Sequence, residues 1–289
     1  MESVKIAIIG ANGQLGTDLN AVLQNSHETI PLTHNNIEIS DKQSVNRILD
    51  EYSPDVVVNT AAIHDLEKCE KRPEESSLIN GLGQKYLSEW CALNDSKPIY
   101  ISTDYVFDGQ QRKPYTEYDC AKPVNTYGLT KLMGEYFTSI SSTSYNIIRT
   151  SGLYGTTPCR GKDSYNFVEM FIDLAKEKDS IKFGGSEVTS PTFTVNLAKQ
   201  IEKIIKLDVN GIFHAVSQGE TSWFDFGKEI INQLDICVKI EKRTTPFEEE
   251  ISRPQYTVLK NKRLQEHKIE EMKYWGENLL DYLEMTGRI

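Results

Sequence analysis

Cysteine and histidine are scarce in this sequence of 289 residues, with five of each. The cysteines are scattered and have no paired spacing, and they stand at Cys69, Cys91, Cys120, Cys159 and Cys237. An odd number without pairing favours reduced thiols over a disulfide framework or a structural zinc site. The histidines show no i, i+4 pairing, so a catalytic metal has no evident set of ligands, and we predict none in the active site.

Long apolar runs and an excess of positive charge are also missing. No stretch approaches the roughly 18 apolar residues of a membrane span. The first strand-like run begins at Val4 and leaves no room for a signal peptide. The formal net charge of −10 argues against nucleic-acid binding, which needs a basic stripe. These absences predict a cytoplasmic protein that binds neither a membrane nor nucleic acid.

Strand-like and helical patterns alternate over the first half of the chain. The strand-like runs lie at 4–9, 28–32, 55–60, 98–103 and 145–149. The helical patterns lie at 14–24, 41–51, 75–93 and 126–140. This alternation predicts an α/β fold with a doubly wound parallel sheet of the Rossmann type.

The pattern changes after Gly155. It predicts a helix near 164–177, a strand at 181–183, a helix opened by Ser190-Pro-Thr192 and a buried strand at Gly211–Val216. The remainder is predicted to be helical, with a break from Pro246 to Pro254. We expect a dinucleotide-binding domain formed by residues 1–155 and 191–220. We expect a smaller, mostly helical substrate-binding lobe formed by residues 156–190 and 221–289.

A glycine turn follows the first strand-like run. Gly10-Ala-Asn-Gly13-Gln-Leu-Gly16 stands between Val4–Ile9 and a helical pattern that contains Leu19. Glycine lets the backbone turn tightly and approach a pyrophosphate, whose charge is met by the amides at the start of the helix. The turn therefore predicts a dinucleotide site.

Three Tyr-x-x-x-Lys pairs occur, and only one has a suitable context. Tyr127 and Lys131 share a helix face, because residues four apart are neighbours on a helix. The pair Tyr118/Lys122 runs into Pro123, and Tyr256/Lys260 has no nucleotide signal near it. We therefore expect chemistry only at Tyr127.

The chemistry of this pair is proton transfer to a ketone. An ammonium group nearby favours the phenolate, so Lys131 is expected to lower the pKa of Tyr127 toward the working pH. Thr103, at the end of a strand-like run, is expected to give the second hydrogen bond to the carbonyl oxygen. A turn cap is the alternative role for Thr103.

The same segments carry a family resemblance over nearly the whole chain. Gly10–Gly16, Ser102–Gly109, Tyr127–Glu135 and Gly219–Phe226 resemble the dTDP-4-dehydrorhamnose reductases, a branch of the extended short-chain dehydrogenases. The resemblance implies a catalytic set of Thr103, Tyr127 and Lys131. It implies cofactor contacts, which besides Tyr127 and Lys131 are Gly10, Asn12, Gly13, Gln14, Leu15, Gly16, Glu38, Ile39, Ala62 and Ile63. It implies substrate contacts at Thr103, Asp104, Gly152, Asn166 and Arg253.

Two departures bear on substrate and cofactor. The family usually has a tryptophan, facing the sugar, where this chain has Gly152, and usually an aspartate where it has Glu38. Arg160, Lys162 and Arg253 are candidates to meet a diphosphate. The segment Leu32–Asn36 offers neither an acid for the ribose 2′-hydroxyl nor an arginine for a 2′-phosphate. The resemblance implies NADPH, with NADH possible.

Three functions are compatible with these residues. The first is reduction of the C4 ketone of a nucleotide-linked 4-keto-6-deoxy sugar, either dTDP-4-dehydro-L-rhamnose, a precursor for cell-surface polysaccharide, or a related ketone. The second is 4,6-dehydration or C4 epimerisation, but dehydration needs an acid and a base, and Asp104-Tyr105 holds one carboxylate. The third is a non-catalytic regulatory subunit similar to methionine adenosyltransferase beta.

The resemblance leaves the assembly open between a monomer and a homodimer. The family implies that Mg²⁺ could bridge carboxylates at a dimer contact. The acidic segment Glu277–Glu284 would allow this, and an amphipathic terminal helix is the alternative reading of the same residues.

Overall fold

The computed structural model of the chain describes residues 3–158, 166–185, 187–242 and 251–289. Within these ranges, no helix combines the length and the apolar character needed to cross a bilayer. The prediction of a helix near 164–177 falls partly outside them, as does most of the predicted break from Pro246 to Pro254.

A six-stranded parallel sheet forms the centre of the described chain. Its strands are β1 (Lys5–Ile9), β2 (Glu28–Leu32), β3 (Val56–Asn59), β4 (Lys97–Thr103), β5 (Asn146–Thr150) and β10 (Gly211–His214). Their order across the sheet is β10-β5-β4-β3-β1-β2. The predicted doubly wound sheet is thus confirmed, and each predicted strand of this sheet lies within three residues of an observed one.

Short strands pair outside the central sheet. They are β6 (Leu153–Tyr154), β7 (Ser180–Phe183), β8 (Val188–Thr189), β9 (Thr192–Phe193), β11 (Thr221–Ser222) and β12 (Lys239–Lys242). They pair as β6 with β9, β7 with β12 and β8 with β11. The helix predicted to be opened by Ser190-Pro-Thr192 is present and begins at Thr194, because Thr192 and Phe193 first pair with β6.

The helices cover both faces of the sheet and build the smaller lobe. They are α1 (Gln14–Leu23), α2 (Lys42–Tyr52), α3 (Leu66–Lys71), α4 (Pro73–Ser77), α5 (Gln84–Leu93), α6 (Thr126–Ser141), α7 (Phe167–Glu177), α8 (Thr194–Lys206), α9 (Trp223–Gln233), α10 (Lys262–Glu266) and α11 (Trp275–Met285). A 3₁₀ turn follows β4 at Asp104–Val106.

The region predicted as one helix from 75 to 93 is divided in the structure. Pro73 opens α4, a π-helical turn spans Leu78–Gly83, and α5 begins at Gln84. The π turn carries Asn80, whose amide is buried and bonds to both the N–H and the C=O of Ile63 at 2.9 Å. A local widening of the helix thus aims a polar side chain at the loop after β3, as π turns often do at functional sites.

Hydrophobic clusters lie on both faces of the sheet and inside the lobe. One face packs α1 and α8 against the sheet, and the other packs α2 and α5. The lobe has an aromatic core, which includes Tyr154, Phe171, Phe193, Phe226 and Tyr282. α11 contributes Leu279, Tyr282 and Leu283 to this core, so the acidic terminal segment forms an amphipathic helix.

Candidate active site

The glycine turn after β1 has no room for a side chain at Gly10 or Gly16. Gly10 has φ of +79°, and a Cβ on Gly16 would lie 2.3 Å from the Gly10 carbonyl oxygen. No side chain caps α1, and its first turn holds no acidic residue. The Gln14 amide nitrogen is buried without a partner there. Open amides and the positive end of α1 fit a pyrophosphate, so these residues suit a dinucleotide.

The other residues expected to contact the cofactor lie at the same edge of the sheet. Glu38 accepts hydrogen bonds from the Ser40 amide at 3.0 Å and hydroxyl at 2.5 Å. Burial acts to raise the pKa of Glu38, but these bonds outweigh it and the pKa is lowered. Ile39 is buried, and Ala62 and Ile63 follow the end of β3. These residues flank the crevice where the strand order reverses between β1 and β3.

Tyr127 and Lys131 lie on one face of α6. The helix starts where the Asn125 side chain accepts a hydrogen bond from the Gly128 amide at 2.9 Å. Lys131 is buried, donates to the Ile101 carbonyl at 2.6 Å and lies 4.0 Å from the centroid of the Tyr100 ring. The chain therefore fixes the lysine against β4, next to the strand that ends at Thr103.

Burial dominates the ionisation of both groups. It lowers the pKa of Lys131 to about 7, against an opposing effect of the Glu135 carboxylate. It raises the pKa of Tyr127 well above its ordinary value, with a smaller opposing effect of the Thr103 hydroxyl and a further rise from the charge of Asp104. The expectation of a lowered tyrosine pKa was therefore wrong. A buried phenol loses the solvation of its phenolate, and the lysine is itself driven toward its neutral form.

Thr103 ends β4 and makes two kinds of contact. Its hydroxyl accepts the Tyr105 amide at 3.2 Å, which caps the 3₁₀ turn, and donates to the Asp104 carboxylate at 3.0 Å. The same hydroxyl interacts with the Tyr127 phenol. Thr103 therefore caps the turn and also lies beside Tyr127.

Asp104 is enclosed rather than turned outward. It is 4% exposed, and its Oδ2 atom accepts the Ser151 hydroxyl at 3.0 Å and that of Thr189 at 3.5 Å. Thr257 completes the enclosure through a hydrogen bond to Thr189 at 3.4 Å. Both carboxylate oxygens are thus engaged inside the protein, and the substrate contact expected at Asp104 stays a prediction.

Gly152 lies under an aromatic ring from the lobe. Its φ is +53°, and a Cβ built there would lie 3.1 Å from the six-membered ring of Trp223 and 3.2 Å from the Cα of Pro191. Trp223 starts α9 and packs on Phe167, with ring centroids 4.6 Å apart. The space beside Gly152 is thus partly filled by a tryptophan from another element.

The two remaining substrate candidates differ in their surroundings. Asn166 is buried; its amide donates to Gly155 and to the Tyr282 hydroxyl at 3.0 Å each, and its oxygen caps α7. Its side chain links α7 to Gly155 and Tyr282, and the substrate contact expected at Asn166 stays a prediction. Arg253 is exposed and interacts with the Tyr105 hydroxyl. Arg160 and Lys162 lie outside the described residues.

Sequence reasoning missed several residues around Tyr127. The Tyr105 ring lies 5.8 Å from that of Tyr127, edge to face, and the Cys69 thiol is buried close enough to affect Tyr127 and Lys131. Tyr105 stands inside the motif Ser102–Gly109 and could have been found there. Cys69 and Asn80 approach from other elements, so no local pattern could have indicated them.

The fold and these residues define an NAD(P)H-dependent oxidoreductase with a Rossmann sheet. The family model described as "RmlD substrate binding domain" matches residues 4–287. The chain belongs to the dTDP-4-dehydrorhamnose reductase family, and it is an oxidoreductase of that type.

Individual relatives are similar to this chain over almost its full length. The spore coat polysaccharide biosynthesis protein SpsK of Bacillus subtilis is 34% identical, with 97% of each chain covered. The dTDP-4-keto-6-deoxy-D-glucose reductase of Streptomyces niveus is 31% identical, covering 93% of this chain and 92% of the relative. The crystal structure of dTDP-4-dehydrorhamnose reductase from Bacillus anthracis in complex with NADP has a TM-score of 0.92 and 31% identity, covering 98% of this chain and 100% of that one.

Proposed function

We propose that this oxidoreductase reduces the C4 ketone of a nucleotide-linked 4-keto-6-deoxy sugar with NADPH. The substrate proposed first is dTDP-4-dehydro-L-rhamnose, and the product is dTDP-L-rhamnose. The observation that supports this most strongly is the meeting of Thr103, Tyr127 and Lys131 at the carboxyl edge of the sheet, where a Rossmann fold binds its ligands.

Tyr127 is the proton donor in this proposal. Bound NADPH would supply the hydride for C4, and Tyr127 would hold the proton for the ketone oxygen, where negative charge then develops. The raised pKa of Tyr127 keeps the phenol protonated at neutral pH, so the acid is loaded before each turnover.

Lys131 and Thr103 assist that transfer. Once Tyr127 has lost its proton, the ammonium form of Lys131 stabilises the phenolate, and its pKa of about 7 lets it gain or lose a proton at working pH. The Thr103 hydroxyl donates a hydrogen bond to the same ketone oxygen. One such donor typically contributes about 10²–10³ in rate.

NADPH is the proposed cofactor, with NADH tolerated. The complex of the Bacillus anthracis relative contains NADP. The loop after β2 carries His34, Asn35 and Asn36, which supply no carboxylate to repel a 2′-phosphate. Weak discrimination between the two cofactors is therefore expected.

A different 4-keto sugar is the second candidate substrate. Gly152 replaces the tryptophan usual in the family, and the ring of Trp223 approaches the same place from α9. The Streptomyces niveus relative is named as a reductase of dTDP-4-keto-6-deoxy-D-glucose. A different shape of the pocket at Gly152 is therefore expected to change which sugar is bound, while the reaction stays the same.

The product is proposed to serve cell-surface polysaccharide synthesis in the cytoplasm. This follows the name of SpsK, a relative assigned to spore coat polysaccharide. The assembly is proposed to be a monomer or a homodimer, and any Mg²⁺ would lie at the dimer contact, outside the active site.

The test is NADPH oxidation with freshly generated dTDP-4-dehydro-L-rhamnose. We expect turnover by the wild type and a loss of about 10²–10⁴ in kcat for Tyr127→Phe, with NADPH binding unchanged. Tyr136→Phe, on the exposed face of the same helix, is the matched control. Equal rates for wild type and Tyr127→Phe would contradict the assignment of the proton donor.

A further inference from the structure

The ammonium group of Lys131 lies against the face of a buried aromatic ring. Its Nζ atom is 4.0 Å from the centroid of the Tyr100 ring, and it donates to the Ile101 carbonyl at 2.6 Å. Lys131 and Tyr100 are both buried. A cation over the face of an aromatic ring is attracted by the negative charge of that face, and the attraction is stronger where water is excluded. The contact therefore favours the charged form of Lys131.

Three elements hold the Tyr100 ring in this place. Tyr100 belongs to β4, and its hydroxyl donates to the Asn80 carbonyl in the π turn at 2.8 Å. On α6, Gly134 leaves the space that the ring occupies, because a Cβ built on Gly134 would lie 2.5 Å from the Tyr100 hydroxyl oxygen. Lys131 stands three residues before Gly134, and residues three apart are neighbours on a helix surface. The ring and the lysine side chain thus meet where α6 crosses β4.

The carboxylate nearest to Lys131 along α6 is engaged with another cation. Glu135 follows Lys131 by four residues, a spacing at which a lysine and a glutamate often form an ion pair. Its carboxylate instead accepts hydrogen bonds from Arg149 at 2.9 and 2.7 Å and from the Ser102 hydroxyl at 2.5 Å. Because the charge of Arg149 offsets that of Glu135, this carboxylate compensates only part of the cost of a buried ammonium group.

Three titratable neighbours of Lys131 are neutral near pH 7. Burial raises the pKa of the Cys69 thiol above its ordinary value, and it raises the pKa of Tyr127 and of Tyr100 well above theirs. For Lys131 itself, burial lowers the pKa to about 7, against an opposing effect of Glu135. A change in the strength of the ring contact would therefore act on a lysine that titrates near the working pH.

We infer that Tyr100 is a positioning residue whose ring face holds Lys131 in its ammonium form beside Tyr127. The consequence for catalysis rests on the proposed reduction, in which the ammonium group stabilises the Tyr127 phenolate. Tyr100 acts through Lys131 and exchanges no proton in the reaction. The ring contact itself is a property of the protein without substrate, so it can be tested separately.

A series of fluorinated phenylalanines at position 100 tests the ring contact. Tyr100→Phe is the reference, and phenylalanines with one, two and three ring fluorines follow. Each fluorine withdraws electron density from the ring face and changes the shape of the ring little. Lysine labelled with ¹³C at Cε reports the titration of each ammonium group by NMR, and the Lys131 signal is the one missing in Lys131→Met. We expect the pKa of Lys131 to fall stepwise along the series, by roughly 0.5 to 1.5 in all.

The same series at Tyr154, a buried tyrosine in the lobe core, is the matched control and should leave the pKa of Lys131 unchanged. If Tyr100→Phe folds poorly, 3,5-difluorotyrosine at position 100 keeps the hydroxyl that bonds to Asn80 and should also lower the pKa of Lys131. Equal values of this pKa in all ring variants at position 100 would overturn the inference. These titrations need no turnover, so they stand even if the proposed reaction fails.

Kinetics test the consequence for catalysis. On the alkaline side, kcat of Tyr100→Phe should fall where Lys131 loses its proton, and fluorination should move that fall to lower pH. Above both pKa values, a pKa lower by about one leaves roughly a tenfold smaller fraction of the ammonium form, so kcat should fall by about tenfold. The KM for the sugar nucleotide should change little. A pH profile that stays fixed while the pKa of Lys131 moves would contradict the role assigned to Tyr100.

Discussion

At the scale of single residues, burial controls the chemistry of this site more than the pairing of charges does. The sequence places Tyr127 and Lys131 four residues apart and so predicts their shared helix face. It cannot show that both groups are enclosed, because their surroundings come from β4, the π turn and α3. The direction of a pKa shift depends on that enclosure, which is why the expectation for Tyr127 had the wrong sign.

Burial of Lys131 predicts a pH-dependent effect on stability. Its pKa is about 7 in the folded state and 10.5 in model compounds, so between these values the unfolded chain binds more protons. The free energy of unfolding therefore increases as pH rises from 7 to 10.5, because the unfolded chain binds the extra proton. At pH 6 Lys131 is charged in both states, and the folded state carries the full cost of burying that charge. That cost is on the order of 1–5 kcal/mol.

We expect Lys131→Met to raise the melting temperature at pH 6 relative to the wild type, and the gain to shrink as pH rises toward 10. Thermal unfolding across this range measures the difference. Lys113→Met, at an exposed position, is the control and should show no such trend. A difference between Lys131→Met and wild type that stays constant with pH would show that the lysine is charged throughout.

At the scale of elements, the sequence predicts what repeats along the chain and misses what depends on contacts between distant segments. The sheet strands and α1, α2 and α6 follow from alternating apolar patterns. The division of 75–93 into α4, the π turn and α5 was missed, because it serves the bond from Asn80 to the loop after β3. Strand β12 was missed as well, since its polar sequence Lys-Ile-Glu-Lys becomes a strand only by pairing with β7.

The packing of Trp223 and Pro191 around Gly152 gives a prediction at this scale. Returning the tryptophan usual in the family, as Gly152→Trp, should damage this protein. The backbone there has φ of +53°, and a Cβ added to Gly152 would already lie 3.1 Å from the Trp223 ring and 3.2 Å from the Cα of Pro191. A non-glycine residue in this conformation costs roughly 1–2 kcal/mol, and overpacking a filled site costs roughly 1–3 kcal/mol more.

We therefore expect a lower melting temperature and a higher KM for the sugar nucleotide in Gly152→Trp. Gly152→Ala should lose less, because it has the backbone strain but a smaller side chain. The double variant Gly152→Trp with Trp223→Ala should recover part of the loss. A Gly152→Trp protein as stable and active as wild type would show that Trp223 leaves this space readily.

At the scale of the whole molecule, the site draws its residues from segments that are far apart in the sequence. Strand β4 supplies Thr103 and helix α6 supplies Tyr127 and Lys131, whereas Trp223, Thr189 and the segment with Arg253 come from later parts of the chain. Leu264, Ile269 and Met272 pack with the core of the sheet although neighbouring parts of the chain build the lobe. The division into two domains remains a proposal, and the oligomeric state does too.

The central claim is hydride transfer to C4 of a nucleotide-linked sugar with a proton from Tyr127. The most direct measurement uses NADPH carrying deuterium at the transferred position of the nicotinamide, with dTDP-4-dehydro-L-rhamnose as substrate. The account predicts one deuterium on C4 of the product sugar, located by NMR, and none detectable with Tyr127→Phe in the same time. Deuterium at another carbon, or equal labelling by the two proteins, would contradict it.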